Sequence, residues 1–176
     1  MADQPPIYCI DSGSLFDLKQ RNPPDLFPGP WAKLAELGRS RRLIAPREVR
    51  REIEAGDDEV VEWALHNANL FRDPDDAQLE IVREILREFP RFVDLGKERA
   101  DADVFIVAVA LLINRSQPSS IFPQVSPMFP QRCIVVSEER PRRAPTGPPK
   151  IPDVCAHYGI ECIKLFTLMR NEGWTF

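Results

Sequence analysis

"YCIDSGSLFDL", residues 8–18, decides how the rest of the chain is read. It closes the apolar run IYCI (7–10), which has the length of a short buried strand. The run stops on Asp11, passes through Ser12, Gly13 and Ser14, and turns apolar again at helical spacing. A carboxylate at that junction either caps the next helix or holds a cation. Ser12 and Ser14 are able to cap the helix without it, which leaves Asp11 as the first candidate for chemistry.

Outward from this stretch the apolar pattern alternates between strand and helix. SLFDLKQR (14–21) and WAKLAELGRS (31–40) read as helices, RLIA (42–45) as a second strand, and Pro46 as the opening turn of a helix through PREVRREIEAG that closes on Gly56. Helices over about 58–68 and 75–88 follow. DADVFIVAVALLIN (101–114) is apolar at nearly every position, as a helix buried on most sides would be. CIVVS (133–137) is the clearest strand, IPDVCAHYG (151–159) a short helix, IECIK (160–164) a last strand and LFTLMRNEG (165–173) a final helix. This order predicts an α/β fold with a parallel sheet covered on both faces.

Composition narrows the class. A chain of 176 residues that is 43% hydrophobic and 28% charged suits one globular domain over residues 1–176. Its 18 prolines concentrate in loops near 114–131 and 140–152. No apolar stretch reaches the roughly 20 residues of a membrane span, and there is no leader-like N-terminus, so a cytoplasmic protein is expected. Cys9, Cys133, Cys155 and Cys162, with His66 and His157, show no zinc spacing, and Cys9 and Cys133 read as small buried hydrophobes. A net charge of −4 argues against a generally basic nucleic-acid binder, yet arginines crowd residues 39–52 and 139–143.

In a parallel sheet the ligand site lies beyond the carboxyl ends of the strands. Asp11 falls there, and so do Glu138 and Glu139 after CIVVS. Glu48 and Glu52, four apart, share a face of the helix after the second strand. Asp101 and Asp103 open the buried helix, whose N-terminal dipole favours negative charge. Taken singly, Asp103 reads as a helix cap, Glu48 as a solvated surface residue and Glu139 as a partner of the nearby arginines. Together they bring carboxylates from four segments to one sheet edge, where like charges repel unless a cation or a proton is shared.

The set IYCIDSGSLFDL, IAPREVRREI, ADADVFIVAVA and CIVVSEE resembles the PIN-domain nucleases, and most closely a VapC-type, toxin-like bacterial subgroup. The resemblance spans nearly the whole chain and implies a single three-layer α/β/α domain with a short central parallel sheet. It places Asp11, Glu52, Asp103 and Glu139 in the catalytic, metal-binding set, with Ser12, Ser137, Glu48 and Asp101 in support. Glu52, followed by Ile53, fits the family's step better than Glu48, though either is able to face the site. Glu139 is longer than the Asp or Asn common at that step, and Gly13 replaces a polar residue, which removes one hydrogen bond.

What the resemblance implies is a Mg²⁺- or Mn²⁺-dependent endoribonuclease, a choice of ion that hard oxygen ligands without histidine also favour. Arg47, Arg50, Arg51, Arg140, Arg142 and Arg143 would neutralise RNA phosphates. A cognate antitoxin is the expected protein partner, with a homodimer also open. Two alternatives stand beside this reading. One is a catalytically inactive PIN-like module that binds RNA or a protein. The other is a haloacid-dehalogenase-type phosphoryl-transfer enzyme, disfavoured because Gly13 stands where its second aspartate belongs; a receiver domain is disfavoured by the arrangement of its acidic residues.

Overall fold

The computed structural model describes residues 5–56, 58–93, 102–116 and 131–176. Its strands are β1 (Ile7–Ile10), β2 (Leu43–Pro46), β3 (Phe71–Arg72), β4 (Cys133–Val136) and β5 (Cys162–Ile163). They form one parallel sheet in the order β3-β2-β1-β4-β5. Around it lie α1 (Ser12–Arg21), α2 (Pro28–Arg39), α3 (Arg47–Glu54), α4 (Asp58–His66), α5 (Asp76–Glu88), α6 (Ala102–Arg115), α7 (Ile151–His157) and α8 (Leu165–Asn171). The result is the expected three-layer α/β/α arrangement. Among the described residues no helix is long and apolar enough to cross a membrane.

The central strands are apolar without alternation because both faces of the sheet are covered. Tyr8, Cys9 and Ile10 of β1 and all of β4 are buried. Helix α6 packs against β1, β2, β4, α5 and α7, and buries Val104, Ile106, Val107, Ala108 and Leu111 among its apolar residues. Its alanines let it approach the sheet closely. Cys9 and Cys133 are core residues as expected, and burial pushes the Cys133 thiol up to about 12.

The differences from the sequence reading have local causes. Helix α1 begins at Ser12, two residues early, because Asp11 itself caps it by accepting from the Gly13 N–H (3.2 Å). Ser12 and Ser14 therefore lie inside the helix and do not cap it. Pro46 ends β2 and precedes α3, for its ψ of 154° is extended. Strand β3 was not anticipated: two residues after a 3₁₀ turn (Ala68–Leu70) carry no readable alternation.

Sheet order fixes where a site can form. The chain runs outward from β1 to β3 on one side, then crosses back to place β4 on the other side of β1. The carboxyl ends of β1 and β4 consequently flank a topological switch point, where connecting segments leave in opposite directions and a crevice opens.

Candidate functional site

At that crevice the Asp11 N–H donates to the Val136 carbonyl (3.0 Å), so the ladder runs one residue past β1 before the chain turns into α1. The Ser14 hydroxyl donates to the same carbonyl (3.3 Å). Asp11 is thus fixed at both its backbone and its side chain. One carboxylate oxygen accepts from the Gly13 N–H, and the other accepts from the Ser137 hydroxyl (3.0 Å), delivered by the residue after β4. Only 6% of Asp11 is exposed. Burial holds its carboxyl up at about 6; the Gly13 and Ser137 hydrogen bonds pull the other way, and the charges of Glu52 and Glu139 add to the rise.

Helix α3 brings Glu52 to the same place. Its Oε2 accepts from the Ser12 hydroxyl (2.6 Å), and that hydroxyl also lies 3.3 Å from Asp11 Oδ1. The other oxygen of Glu52 accepts from the Ala102 N–H (3.2 Å) at the start of α6, which draws the N-terminus of α6, with Asp103 on its first turn, to the cleft. Asp11, Glu52, Asp103 and Glu139 line one cleft of about 760 Å³, and Ser12 and Gly13 share its wall. Glu52, not Glu48, faces it.

Glu48 corrects the sequence reading. It is not solvated: 2% is exposed, its nearest cations are Arg47 (3.6 Å) and Arg51 (3.8 Å), and its Oε2 has no hydrogen-bond partner. A four-residue offset put both glutamates on one face, but that face is wide enough to divide between core and cleft. Glu138 also turns away, accepting from the Leu165 N–H (2.9 Å) at the start of α8. Asp101 and residues 117–130 of the long loop lie outside the described residues.

Glu139 is engaged at every polar group. Its N–H donates to Ser137 Oγ (3.2 Å), its carbonyl accepts from Lys164, Oε2 accepts from the Ile151 N–H (2.9 Å), and Oε1 pairs with Lys150 (3.1 Å). It therefore ties the start of α7 to the cleft and brings the Lys150 ammonium to its rim. Lys150 and Arg91 both line the cleft and were not singled out from the sequence. Each follows a proline, and nothing in the local pattern marks it.

Gly13 has a steric reason to be glycine. A Cβ there would stand 3.1 Å from Asp11 Oδ2, so its absence keeps the space beside the carboxylate open. Among the described residues no three His, Cys, Asp or Glu side chains stand close enough together to hold one ion in this conformation. The donor chemistry nonetheless fits a hard divalent cation: a buried carboxylate, flanking carboxylates, hydroxyls in support and an open cradle at Gly13.

The expected RNA-binding arginines divide. Arg47 pairs with Asp73 (2.9 Å) and Arg50 with Glu54 (2.8 Å). Arg140, Arg142 and Arg143 are exposed on the segment after β4, where Arg142 donates to the Gly147 carbonyl (3.2 Å). No curated protein and no solved structure matches the chain. A family model described as a domain of unknown function, DUF4411, matches residues 8–117 and 126–176, and the chain belongs to that family.

Proposed function

We propose that the protein is a Mg²⁺- or Mn²⁺-dependent endoribonuclease of the PIN type. One observation carries the reading: a buried aspartate at the β1–β4 switch point is held by Ser137, and Glu52, Asp103 and Glu139 line the same cleft. Asp11, Glu52 and Asp103 would hold the cation, with Glu139 a weaker fourth ligand because its carboxylate already serves Ile151 and Lys150. When bound, a divalent ion supplies an activated water and neutralises charge on the phosphate.

The chain's own groups do the rest. Ser12 and Ser137 orient the carboxylates of Glu52 and Asp11 by donating to them. Lys150 and Arg91, at the cleft wall, attract the phosphodiester into a site that would otherwise repel it. Asp11, whose carboxyl sits near 6, is mostly ionised at neutral pH, and a cation held there would offset the cost of that buried charge. The toxin role and a cognate antitoxin partner rest on the PIN resemblance alone.

Purified protein should cleave single-stranded or structured RNA in Mn²⁺ or Mg²⁺ and stop in EDTA. Equal cleavage in EDTA refutes the reading. A second reading, an inactive module that binds RNA or a protein, is favoured by the full engagement of Glu139. It predicts RNA or partner binding with no metal-dependent turnover.

A further inference from the structure

Six arginines lie between residues 39 and 51. Four of them meet carboxylates: Arg42 meets Glu172, Arg47 meets Asp73, Arg50 meets Glu54 and Arg51 lies 3.8 Å from Glu48. Arg39 and Arg41 do not. With Arg72, the last residue of β3, they surround a hollow of about 550 Å³ completed by Gly38 and Asn69. No carboxylate lines it, and among the described residues none of the three arginines forms a salt bridge. In a chain of net charge −4 this is a concentrated positive field with no internal counter-charge.

Arg41 adds an independent sign. It has φ 61°, and no other non-glycine among the described residues has a positive φ. The turn from α2 into β2, closed by Arg41 N–H to the Gly38 carbonyl (3.0 Å) and Arg42 N–H to the Leu37 carbonyl (2.9 Å), is one that glycine enters without steric cost. Arginine stands there at a steric cost that glycine would not incur.

The hollow reaches toward the cleft edge through Arg72, which ends β3, while Gly38, Arg39 and Arg41 precede β2 and lie toward the opposite, amino edge of the sheet. Cys9 pairs with Ile44, and Pro46 pairs with Arg72. Continuing the first register two residues sets Arg72 level with Asp11 two strands away, about 10 Å at ~4.8 Å per strand. A strand of RNA running from Arg41 past Arg72 to Asp11 must also cover the length from the level of Pro6 to that of Asp11, about 16 Å at ~3.3 Å per residue, which several nucleotides span. Guanidinium forks bind phosphate oxygens two at a time, and an open hollow with three of them accepts successive phosphates of a strand better than one free anion.

We propose that the Arg39–Arg41–Arg72 hollow docks the phosphodiester backbone of an RNA strand that continues into the carboxylate cleft. The proposal rests on the ribonuclease reading and extends it to how the substrate is held. The test measures binding of a fluorescein-labelled single-stranded RNA by anisotropy, in EDTA so that nothing is cleaved, across a salt titration. Arg41→Gln/Arg72→Gln should weaken binding about tenfold or more at low salt, and should make the slope of log affinity against log salt shallower by about 1.4, two contacts at ~0.7 each. Arg41→Gly/Arg72→Gln keeps the left-handed turn and should behave the same, which separates lost contacts from a misfolded turn. Arg87→Gln/Arg170→Gln removes equal charge from exposed positions elsewhere and should leave the slope as it was. The docking proposal is overturned if wild type binds and both hollow variants keep its affinity and slope, or if the control pair loses as much. If wild type cleaves RNA while the hollow variants bind normally, docking alone falls; if wild type binds no RNA, the ribonuclease reading falls with it.

Discussion

Replacing Asp11 by asparagine should stabilise the metal-free protein, the reverse of what removing a helix cap does. Burial raises the folded-state carboxyl from 3.8 to about 6, and at about 1.4 kcal/mol per tenfold change in proton affinity the ionised form costs the fold about 3 kcal/mol at neutral pH. Asparagine removes that charge and still accepts from the Gly13 N–H, so the cap survives. Its amide N–H groups face Ser137 and one further position, and an unmet donor there costs about 1 kcal/mol. The net gain is about 2 kcal/mol, or a melting-temperature rise of roughly 4–8 °C for a domain of this size. The sign with pH follows from the raised value. Above about 6 the wild type carries the full cost; as pH falls the folded state takes up the proton first, and the two stabilities meet between about pH 4 and 5, where the fading cost equals that of the amide. Mn²⁺ at about ten times its dissociation constant should then add about 1.4 kcal/mol to the wild type and much less to Asp11→Asn. Calorimetry of both proteins from pH 4 to 8, with and without Mn²⁺, reads all of this. A variant that is less stable at pH 8, or a difference that does not shrink on acidification, refutes the reasoning and leaves Asp11 as an ordinary cap.

Glu52→Gln should abolish RNA cleavage while shifting the melting temperature little, whereas Glu48→Gln should retain turnover and change stability, because Glu48 is buried between Arg47 and Arg51; parallel activity and melting assays check the pair. Gly13→Ala sets a methyl 3.1 Å from Asp11 Oδ2 and should lower cleavage at least tenfold with under about 1 kcal/mol lost in urea unfolding; wild-type activity would show that the cradle is unused. Glu172→Gln loosens a clasp in which Arg42 (2.7 Å) and the Tyr8 hydroxyl (2.9 Å) both donate to one carboxylate. It should cost about 1–3 kcal/mol of stability, and cleavage measured well below the melting point should be unaffected.

Much of this molecule is legible in its order of residues. Uninterrupted apolar runs such as IYCI and CIVV occur where a strand is buried on both faces, and their alternation with helical spacing leaves a covered parallel sheet as the outcome. From that alone Asp11 and Glu139 fall at one sheet edge, since each follows such a run. Tertiary structure decided the rest. Whether Glu48 or Glu52 faces the cleft depends on the rotation of α3 against the sheet, which four-residue spacing does not specify. Lys150 reaches the site because Glu139 holds the start of α7, a contact between residues with no shared pattern. Arg72 meets Arg39 and Arg41 through a two-residue edge strand too short to be read in advance. A sequence records which side chains each element buries; which polar groups then meet is settled by how the elements rotate and pair across distances the local pattern does not encode.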